Sequence, residues 1–408
     1  MFRKAIPMLV ALTLPFAAAA QEAGKPDFMS DEDWDAIDTL IDPAVVQWHP
    51  YKGLAVKQDG TPYRVLDLRL WMGDDYSVVA HFLAKTQLEE AGAEYTLLSA
   101  DFDASAQARM LEDAIATKAY DAVFLHPLDP GGIASTVERA TAAGIDVYNW
   151  VTPVPTDKKT AFAGYKADEM DANGQIGAKF LELAQAAGAT KENPFRVLEI
   201  WGFRSAPLLV ERHKGLMMGL GDSGIVEVIE SVDTGGAPEQ QIKAIQDAFA
   251  RYPDIKGIYP QLGDAGATME GLRSVGKLAP IGDPNHVAVI LQDIDKAMLA
   301  PLRDGTFDAT VSNNPWHQID VLVKQFLWHT VLKQPLVDDG KGLPKNVLLP
   351  MPFLTKDTVD TQKAHMWGGT VVFSDMPMGK WENWPILDTK PIGLPIPTLE
   401  DRKRLLGY

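Results

Sequence analysis

The chain has 408 residues, no cysteine, and a formal net charge of −17 at pH 7. Without cysteine it can form neither a disulfide nor a thiolate metal site, and without a basic stripe or an extended run of Lys and Arg it lacks the surface that binds nucleic acid. This length exceeds what a single hydrophobic core usually organises, so we expect two domains.

The first segment, residues 1–20, has the order of a secretory signal peptide. Arg3 and Lys4 precede the apolar stretch Ala5–Phe16, and small residues follow at Ala17–Ala20. The apolar stretch is shorter than the ~20 residues that a membrane-spanning helix needs. We therefore expect export with cleavage near Ala20. Because no cysteine can carry a lipid anchor, the periplasm is the expected location.

An apolar strand followed by an amphipathic helix repeats between Tyr63 and Val151. The predicted strands are Tyr63–Leu70, Glu94–Ser99, Asp121–His126 and Ile145–Trp150, and the predicted helices are Ser77–Ala91, Ala104–Tyr120 and Gly132–Ala143. This alternation predicts a parallel sheet with helices on both faces. Such sheets bind ligands at the carboxyl ends of their strands.

The alternation resumes after Val151. The predicted strands here are Lys159–Gly164, Phe195–Trp201, Ile225–Ser231, Lys256–Pro260, His286–Gln292 and Thr310–Asn313, with helices between them. Two sets of strand–helix units joined by a crossover predict two similar lobes. A single (β/α)8 barrel is the alternative.

Three stretches, taken together and in order, carry a resemblance to a known family. They are Asp121–Trp150 (DAVFLHPLDPGGIASTVERATAAGIDVYNW), Val210–Leu220 (VERHKGLMMGL) and Leu302–Asp320 (LRDGTFDATVSNNPWHQID). The chain resembles the type I periplasmic binding proteins from about Tyr63 to Asp360, and specifically the branch of ribose and galactose binders of ABC importers. The resemblance implies an α/β fold of two doubly wound parallel-sheet lobes joined by a three-segment hinge, which replaces the barrel.

The resemblance also divides the chain into parts. We expect a signal peptide at 1–20, an N-terminal extension at 21–62, lobe 1 at 63–160 plus 314–346, lobe 2 at 161–313 plus 347–360, and a Pro/Trp-rich C-terminal extension at 361–408. The three crossings between lobes would then fall near Ala161, Asn313 and Val347.

On lobe 1, the resemblance implies that ligand-binding residues follow the strands. Trp71 and Tyr76 are candidates to lie against the apolar face of a sugar ring. Asp74 or Asp75 could accept hydroxyl protons, although Asp75 could instead cap the following helix. Asp129 leads a helix in the same way and could also be only a cap.

The fourth strand departs from the family pattern. Sugar binders usually have an Asp-Arg pair there, whereas this chain has Asn149 and Trp150. Asn149 can still pair with hydroxyl groups. His126, after the third strand, is as much a candidate for the core as for a ligand contact.

On lobe 2, the candidates again follow strands. The arginine that sugar binders place in the next helix aligns with Val210, so its role is vacant or taken by Arg204. Trp201, Gln261 and Asp264 complete this group. Trp201 belongs to a set of indoles at predicted strand ends or at the crossover, from which we expect two to stack on ligand: Trp71, Trp150, Trp201 and Trp316.

Asp293 and Asn313 are the strongest polar candidates. The resemblance places Asp293 where the family has an aspartate that accepts sugar hydroxyls, and Asn313 where it has an amide at the crossover. We expect both side chains to contact the ligand.

Catalysis has little support in the sequence. The histidines have no close metal-ligand spacing, and the loop after the first strand has a single glycine, Gly73, rather than a phosphate-binding loop. Asp74 and Asp75 are adjacent, so they cannot straddle a glycosidic bond.

We therefore expect a non-enzymatic, monomeric, cofactor-free protein that binds a sugar or polyol and docks on the membrane permease of an ABC importer. The alternative is a periplasmic sensor that presents its ligand to a receptor kinase.

Overall fold

The structure, a computed structural model, describes residues 53–73, 75–155, 164–167, 169–293, 296–313, 315–337, 345–349, 351 and 353–359. The expected signal peptide, nearly all of the N-terminal extension and the whole C-terminal extension lie outside these residues. Within the described part, no helix combines the length and the apolar character that crossing a membrane requires.

Strands and helices alternate along the described chain. The strands are β1 (Arg64–Arg69), β2 (Glu94–Ser99), β3 (Ala122–Leu125), β4 (Asp146–Asn149), β5 (Gly164–Ala167), β6 (Phe195–Ile200), β7 (Val226–Glu230), β8 (Ile255–Pro260), β9 (Ala288–Gln292), β10 (Ala309–Val311), β11 (Asn346–Leu349) and β12 (Phe353–Thr355). The helices are α1 (Asp75–Glu90), α2 (Ala104–Thr117), α3 (Pro130–Ala142), α4 (Glu169–Ala186), α5 (Pro207–Leu220), α6 (Pro238–Arg251), α7 (Ala265–Ser274), α8 (Lys296–Asp304) and α9 (Pro315–Phe326), and α9 continues into a π-helical turn at Leu327–Val331.

The strands form two six-stranded sheets. The first has the order β11-β5-β4-β3-β1-β2 and the second β12-β10-β9-β8-β6-β7. Among the twelve described strands, every pairing is parallel except that of β12 with β10. The prediction of two doubly wound parallel-sheet lobes is confirmed.

The central strands are buried because helices cover both faces of each sheet. All four residues of β3 and all five of β9 are buried, and both strands are almost entirely apolar. Continuous apolar runs of this kind are typical of parallel sheets and differ from the alternating pattern of half-exposed strands. Among the described residues, one cluster of buried apolar side chains lies wholly in lobe 1, another lies wholly in lobe 2, and a third contains residues of both lobes.

The sheets place two of the crossings later than the sequence predicted. β5 pairs with β4 and with β11, so both strands belong to lobe 1. The crossings therefore follow Ala167 and Leu349 rather than lying near Ala161 and Val347. Strands of only four residues, such as β5 and β11, are assigned to a sheet by their pairing partners, which local sequence does not reveal. The remaining crossing lies between Val311 and Pro315, at the expected Asn313.

Helices α4 and α5 approach each other closely because glycines line their contact. A Cβ on Gly177 would lie 2.2 Å from the carbonyl oxygen of Leu216, and one on Gly219 would lie 2.0 Å from that of Gly174. No side chain fits at either position unless the helices separate.

We expect Gly219→Ala to destabilise the protein by about 2 kcal/mol or more, the scale of overpacking in a close contact. Gly266→Ala is the matched control, because a Cβ there meets only Asp264 Oδ1 at an ordinary 3.4 Å. Since alanine favours a helix over glycine, the control should be neutral or slightly stabilising. Urea unfolding would measure both, and equal effects would contradict this account of the helix contact.

Candidate functional site

The carboxyl ends of the two sheets face each other. The turn after β2 and the loop after β6 meet through the rings of Phe102 and Phe203, whose centroids are 5.8 Å apart. We call the space between the strand ends of the two lobes the cleft. Its position agrees with the rule that open parallel sheets bind ligands beyond their strand carboxyl ends.

Trp150, directly after β4, lies at the centre of the lobe 1 wall. Its indole is fully buried, with the guanidinium of Arg69 3.8 Å from the ring. The Tyr76 ring stacks at 5.9 Å and the His126 ring lies at 4.8 Å. Trp150 is thus packed within the wall in this conformation, rather than presented as an open stacking platform.

Arg69 is buried at the end of β1, and its charge is neutralised locally. Its Nε and Nη2 donate to Asp67 Oδ2 at 2.9 and 2.7 Å, and Nη1 donates to the carbonyl of Ser77 at 3.0 Å. The hydroxyl of Tyr95 donates to the same Asp67 oxygen at 2.7 Å. Asp67 and Arg69 are two residues apart on one strand, so their side chains share a face.

His126 follows β3 and is held neutral. Burial, and then the nearby charge of Arg69, lower the pKa of His126 to about 3. Its Nδ1 has no hydrogen-bond partner among the described residues. At neutral pH the uncharged ring can donate or accept a hydrogen bond without adding a charge to the lobe 1 wall.

Gln318 on α9 connects the lobe 1 wall to a crossing between lobes. Its Oε1 accepts from Tyr76 Oη and, at 3.2 Å, from Trp150 Nε1. Its Nε2 donates to Asn313 Oδ1 in the crossing segment. Two predicted site residues of lobe 1 are thereby joined to the predicted amide of the hinge.

Arg212 on α5 is the central charge of lobe 2. Its Nε and Nη2 donate to the Glu169 carboxylate at 2.9 and 3.0 Å, and Nη1 donates to the carbonyl of Gln261. Nη2 also lies 3.8 Å from Asp293 Oδ2. Arg212 therefore takes the place beside Asp293 that the sequence left vacant or gave to Arg204.

A second buried group of lobe 2 lies beside Trp201. Glu199 accepts from Gln261 Nε2 at 2.7 Å and lies 2.8 Å from Nδ1 of His213. Burial raises the pKa of Glu199. Gln261 Oε1 and Trp201 Nε1 are buried and have no hydrogen-bond partner among the described residues.

Asp293 and Val151 lie at strand ends in strained backbone. Their φ angles are +66° and +64°, in the left-handed region that valine in particular rarely adopts. Such strain persists only where the surroundings impose it, and it concentrates at functional sites. The Asp293 side chain keeps 28% of its surface exposed, so its carboxylate remains accessible from the cleft.

Other predicted site residues are engaged within their own lobe. Asp129 accepts from Gly132 N at 3.0 Å and Asp264 from Ala267 N at 2.7 Å, so each caps its helix. Arg204 donates to Asp233 and Glu230 at 2.6 and 2.9 Å.

Two predicted residues have side chains whose contacts are not part of the described structure. The side chains of Asp75 and Trp316 lie outside what the structure describes.

Sequence reasoning missed Arg69, Arg212 and Gln318. The stretch Val210–Leu220 contained the signal for Arg212, which lies two residues after the position to which the alignment assigned the arginine. Arg69 carried no usable signal, because a charge at the end of an apolar strand is normally exposed.

The comparisons with known proteins agree with this geometry. A family model described as "Periplasmic binding protein domain" matches residues 71–327, more than half of the chain. The ribose import binding protein of Bacillus subtilis is 25% identical over 235 residues, covering 56% of this chain and 69% of that protein. The xylose/arabinose-binding protein of Sulfolobus acidocaldarius is 22% identical over 271 residues, covering 63% of this chain and 62% of that protein.

Solved structures share the fold. A Mycobacterium smegmatis protein in complex with β-D-fucofuranose aligns with a TM-score of 0.63 at 16% identity, covering 72% of this chain and 92% of that one. A glucose-galactose binding protein from Geobacillus stearothermophilus aligns with a TM-score of 0.59 at 18% identity, covering 73% and 98%.

The buried neutral His126 generates a prediction about pH. Because an unfolded histidine has a pKa near 6.5, the unfolded chain takes up a proton below that pH while the folded protein does not. This difference should cost about 2 kcal/mol of stability between pH 7 and pH 5. His126→Gln should lose correspondingly less stability over this interval, measured by urea unfolding. An undiminished loss would contradict a neutral buried ring.

His286→Gln provides a control of opposite sign. Burial works against charge on His286, but hydrogen bonds to Asp308 and to the Ala279 carbonyl outweigh it and raise the pKa. Stability from His286 is therefore present at low pH and is lost as pH rises through the raised pKa. Its removal should deepen the loss of stability on acidification.

Proposed function

The chain belongs to the periplasmic binding protein domain family, and on that basis we propose that it is the solute-binding component of an ABC importer. In this proposal the ligand is a sugar or polyol that binds between the two lobes. Hinge motion then closes the lobes, and the closed form docks on a membrane permease. The relatives named above support the class of ligand.

The observation that carries the proposal is a set of buried polar atoms at strand carboxyl ends. Asn149 Oδ1, Gln261 Oε1 and Trp201 Nε1 have no hydrogen-bond partner among the described residues. Buried polar atoms are nearly always paired, and an unpaired one costs about 1–3 kcal/mol. A sugar or polyol suits such a mixed set because each hydroxyl can both donate and accept.

The charges around the cleft favour an uncharged ligand. Arg69 is paired with Asp67, and Arg212 with Glu169, so both buried cations are already compensated. Asp293 adds a further negative charge 3.8 Å from Arg212. An anionic ligand would meet no uncompensated cation among these groups, whereas hydroxyls can donate to Asp293.

We assign ligand contacts to residues on both walls and at the crossing. They are Tyr76, Asn149, Trp201, Gln261, Asp293 and Asn313, with Trp150 supporting the lobe 1 wall from behind. The protein acts without catalysis as an exported, periplasmic monomer.

A thermal-shift comparison of matched sugar pairs tests the proposed function. At least one neutral sugar or polyol, from a broad panel that includes galactose and ribose, should raise the melting temperature, since a ligand at 100 times its Kd stabilises by about 2.7 kcal/mol. Galacturonate and ribose 5-phosphate, which carry similar hydroxyls with an added negative charge, should give no shift. Stabilisation by the anions alone, or by no sugar or polyol in a broad panel, would overturn the proposal.

Asp293→Asn tests the assigned hydroxyl acceptor. Asparagine tolerates positive φ and keeps the shape of the side chain, so the fold should persist. Loss of the charge-assisted hydrogen bond should weaken sugar binding by about 2 kcal/mol, roughly thirtyfold in Kd by titration calorimetry.

Asp264→Asn is the matched control for this variant. Asp264 follows β8, which neighbours the strand β9 that precedes Asp293. Its carboxylate caps α7, a role that asparagine fills equally well. Its affinity should be that of the wild type. Equal losses in both variants would remove Asp293 from the site.

A further inference from the structure

Three aromatic rings form a chain across the cleft, from lobe 1 to lobe 2. The Trp71 ring, after β1, lies 5.1 Å from the Phe102 ring, after β2. Phe102 in turn lies 5.8 Å from Phe203, after β6 of the other lobe. The sequence predicted that Trp71 stacks on a sugar ring. In the structure its ring instead packs against Phe102, so stacking on a ligand does not explain this arrangement.

These rings lie far from the hinge. In lobe 1 the crossings follow β5 and β11, at one edge of the sheet, whereas β2 is the opposite edge. In lobe 2 the crossings involve β10 and β12, and β6 lies next to the opposite edge strand, β7. The contact therefore spans the open side of the cleft, where hinge motion produces its largest displacement.

The turn that carries Phe102 is strained and firmly held. Asp101 and Phe102 have φ angles of +48° and +63° in succession. Phe102 N donates to the carbonyl of Leu70 at 2.9 Å, and Asp103 caps α2 by accepting from Ala106 N at 2.9 Å. The fold thus imposes an unfavourable backbone conformation on a phenylalanine that is 42% exposed. Core packing does not explain such a cost.

The other two rings lie against glycines. A Cβ on Gly73 would lie 2.0 Å from Cζ2 of Trp71, so the indole folds over that glycine. Phe203 lies over Gly235 and Gly236, at 4.0 and 3.8 Å from the positions that their Cβ atoms would occupy. Both walls are therefore shaped to hold their aromatic side chain at the opening.

We propose that Trp71, Phe102 and Phe203 form an aromatic latch that holds the two lobes closed across the opening of the cleft and so slows the release of a bound ligand. The part concerning release rests on the proposed function. The closing of the lobes does not, and the two parts are tested separately.

The first experiment measures closure without ligand. The chain has no cysteine, so Ser135→Cys on lobe 1 and Gln240→Cys on lobe 2, both exposed, can carry a unique pair of spin labels. Electron–electron double resonance should show that Phe102→Ala and Phe203→Ala populate longer label distances than the parent. Val232→Ala is the control, because Val232 lies on lobe 2 like Phe203 and its side chain is apolar but 78% exposed.

Unchanged distance distributions in both phenylalanine variants would overturn the latch, whatever the ligand proves to be. Circular dichroism and Phe203→Leu guard against a folding defect. The leucine variant keeps the apolar bulk but loses the ring pair, and should lie between wild type and Phe203→Ala.

The second experiment measures release. Stopped-flow fluorescence with a sugar identified by thermal shift should give dissociation rates about three- to tenfold faster in either variant, the factor expected from one aromatic pair. The double variant should be no faster than the single ones, because either truncation breaks the same contact. Wild-type rates, or effects that multiply in the double variant, would overturn the proposed role in release. A wild-type protein that binds no sugar would instead refute the proposed function, and the label distances would still decide the latch.

Discussion

The requirement that a buried charge be paired organises both walls of the cleft. Arg69 and Arg212 lie within the protein, and each is held by a carboxylate of its own lobe, Asp67 or Glu169. Leaving either arginine without its partner would cost about 3–5 kcal/mol. We therefore expect both ion pairs to persist while the protein is folded. The side chains and carbonyls that pack against the two arginines are held in fixed positions as a result. Trp150 lies on Arg69, and the carbonyl of Gln261 lies on Arg212.

Strand ends supply the second constraint. A parallel strand that turns sharply into a loop forces some residues out of ordinary backbone conformations, and here this occurs at Asp101, Phe102, Val151 and Asp293. All four follow carboxyl ends of strands, at the edge where the lobes face each other. Each such residue costs about 1–3 kcal/mol, and the packing of the sheets beneath offsets this cost. The strain thus fixes where Asp293 and Phe102 point.

Sequence periodicity was sufficient for the sheets but not for the connections between them. Apolar runs such as β3 and β9 identify buried parallel strands because their composition reflects local burial. The assignment of β5 to lobe 1 follows from its pairing with β4 and with β11, and β11 lies about 180 residues later in the chain. No local pattern contains that information, and the crossing was therefore placed too early.

The candidate site shows the same limit. The family resemblance predicted Asp293 and Asn313 as ligand contacts, and the structure places them directly after β9 and within a crossing between the lobes. Arg212 could not be predicted in this way, since its role depends on Glu169, which belongs to another helix and lies 43 residues away in sequence. Arg204 was the reasonable choice from sequence, but Asp233 and Glu230 lie close enough to hold its side chain. Pairing between distant charges decides which arginine borders the cleft.

Different kinds of contact hold the two sides of the cleft: hydrogen bonds on the hinge side and aromatic ring contacts on the open side. On the hinge side, Gln318 links Tyr76, Trp150 and Asn313 by hydrogen bonds, which are directional and weaken steeply when misaligned. On the open side the contact is between aromatic rings, which tolerate a range of separations and tilts. A hinge moves its near side little and its far side much. Directional bonds therefore persist where displacement is small, and the tolerant contact lies where displacement is large.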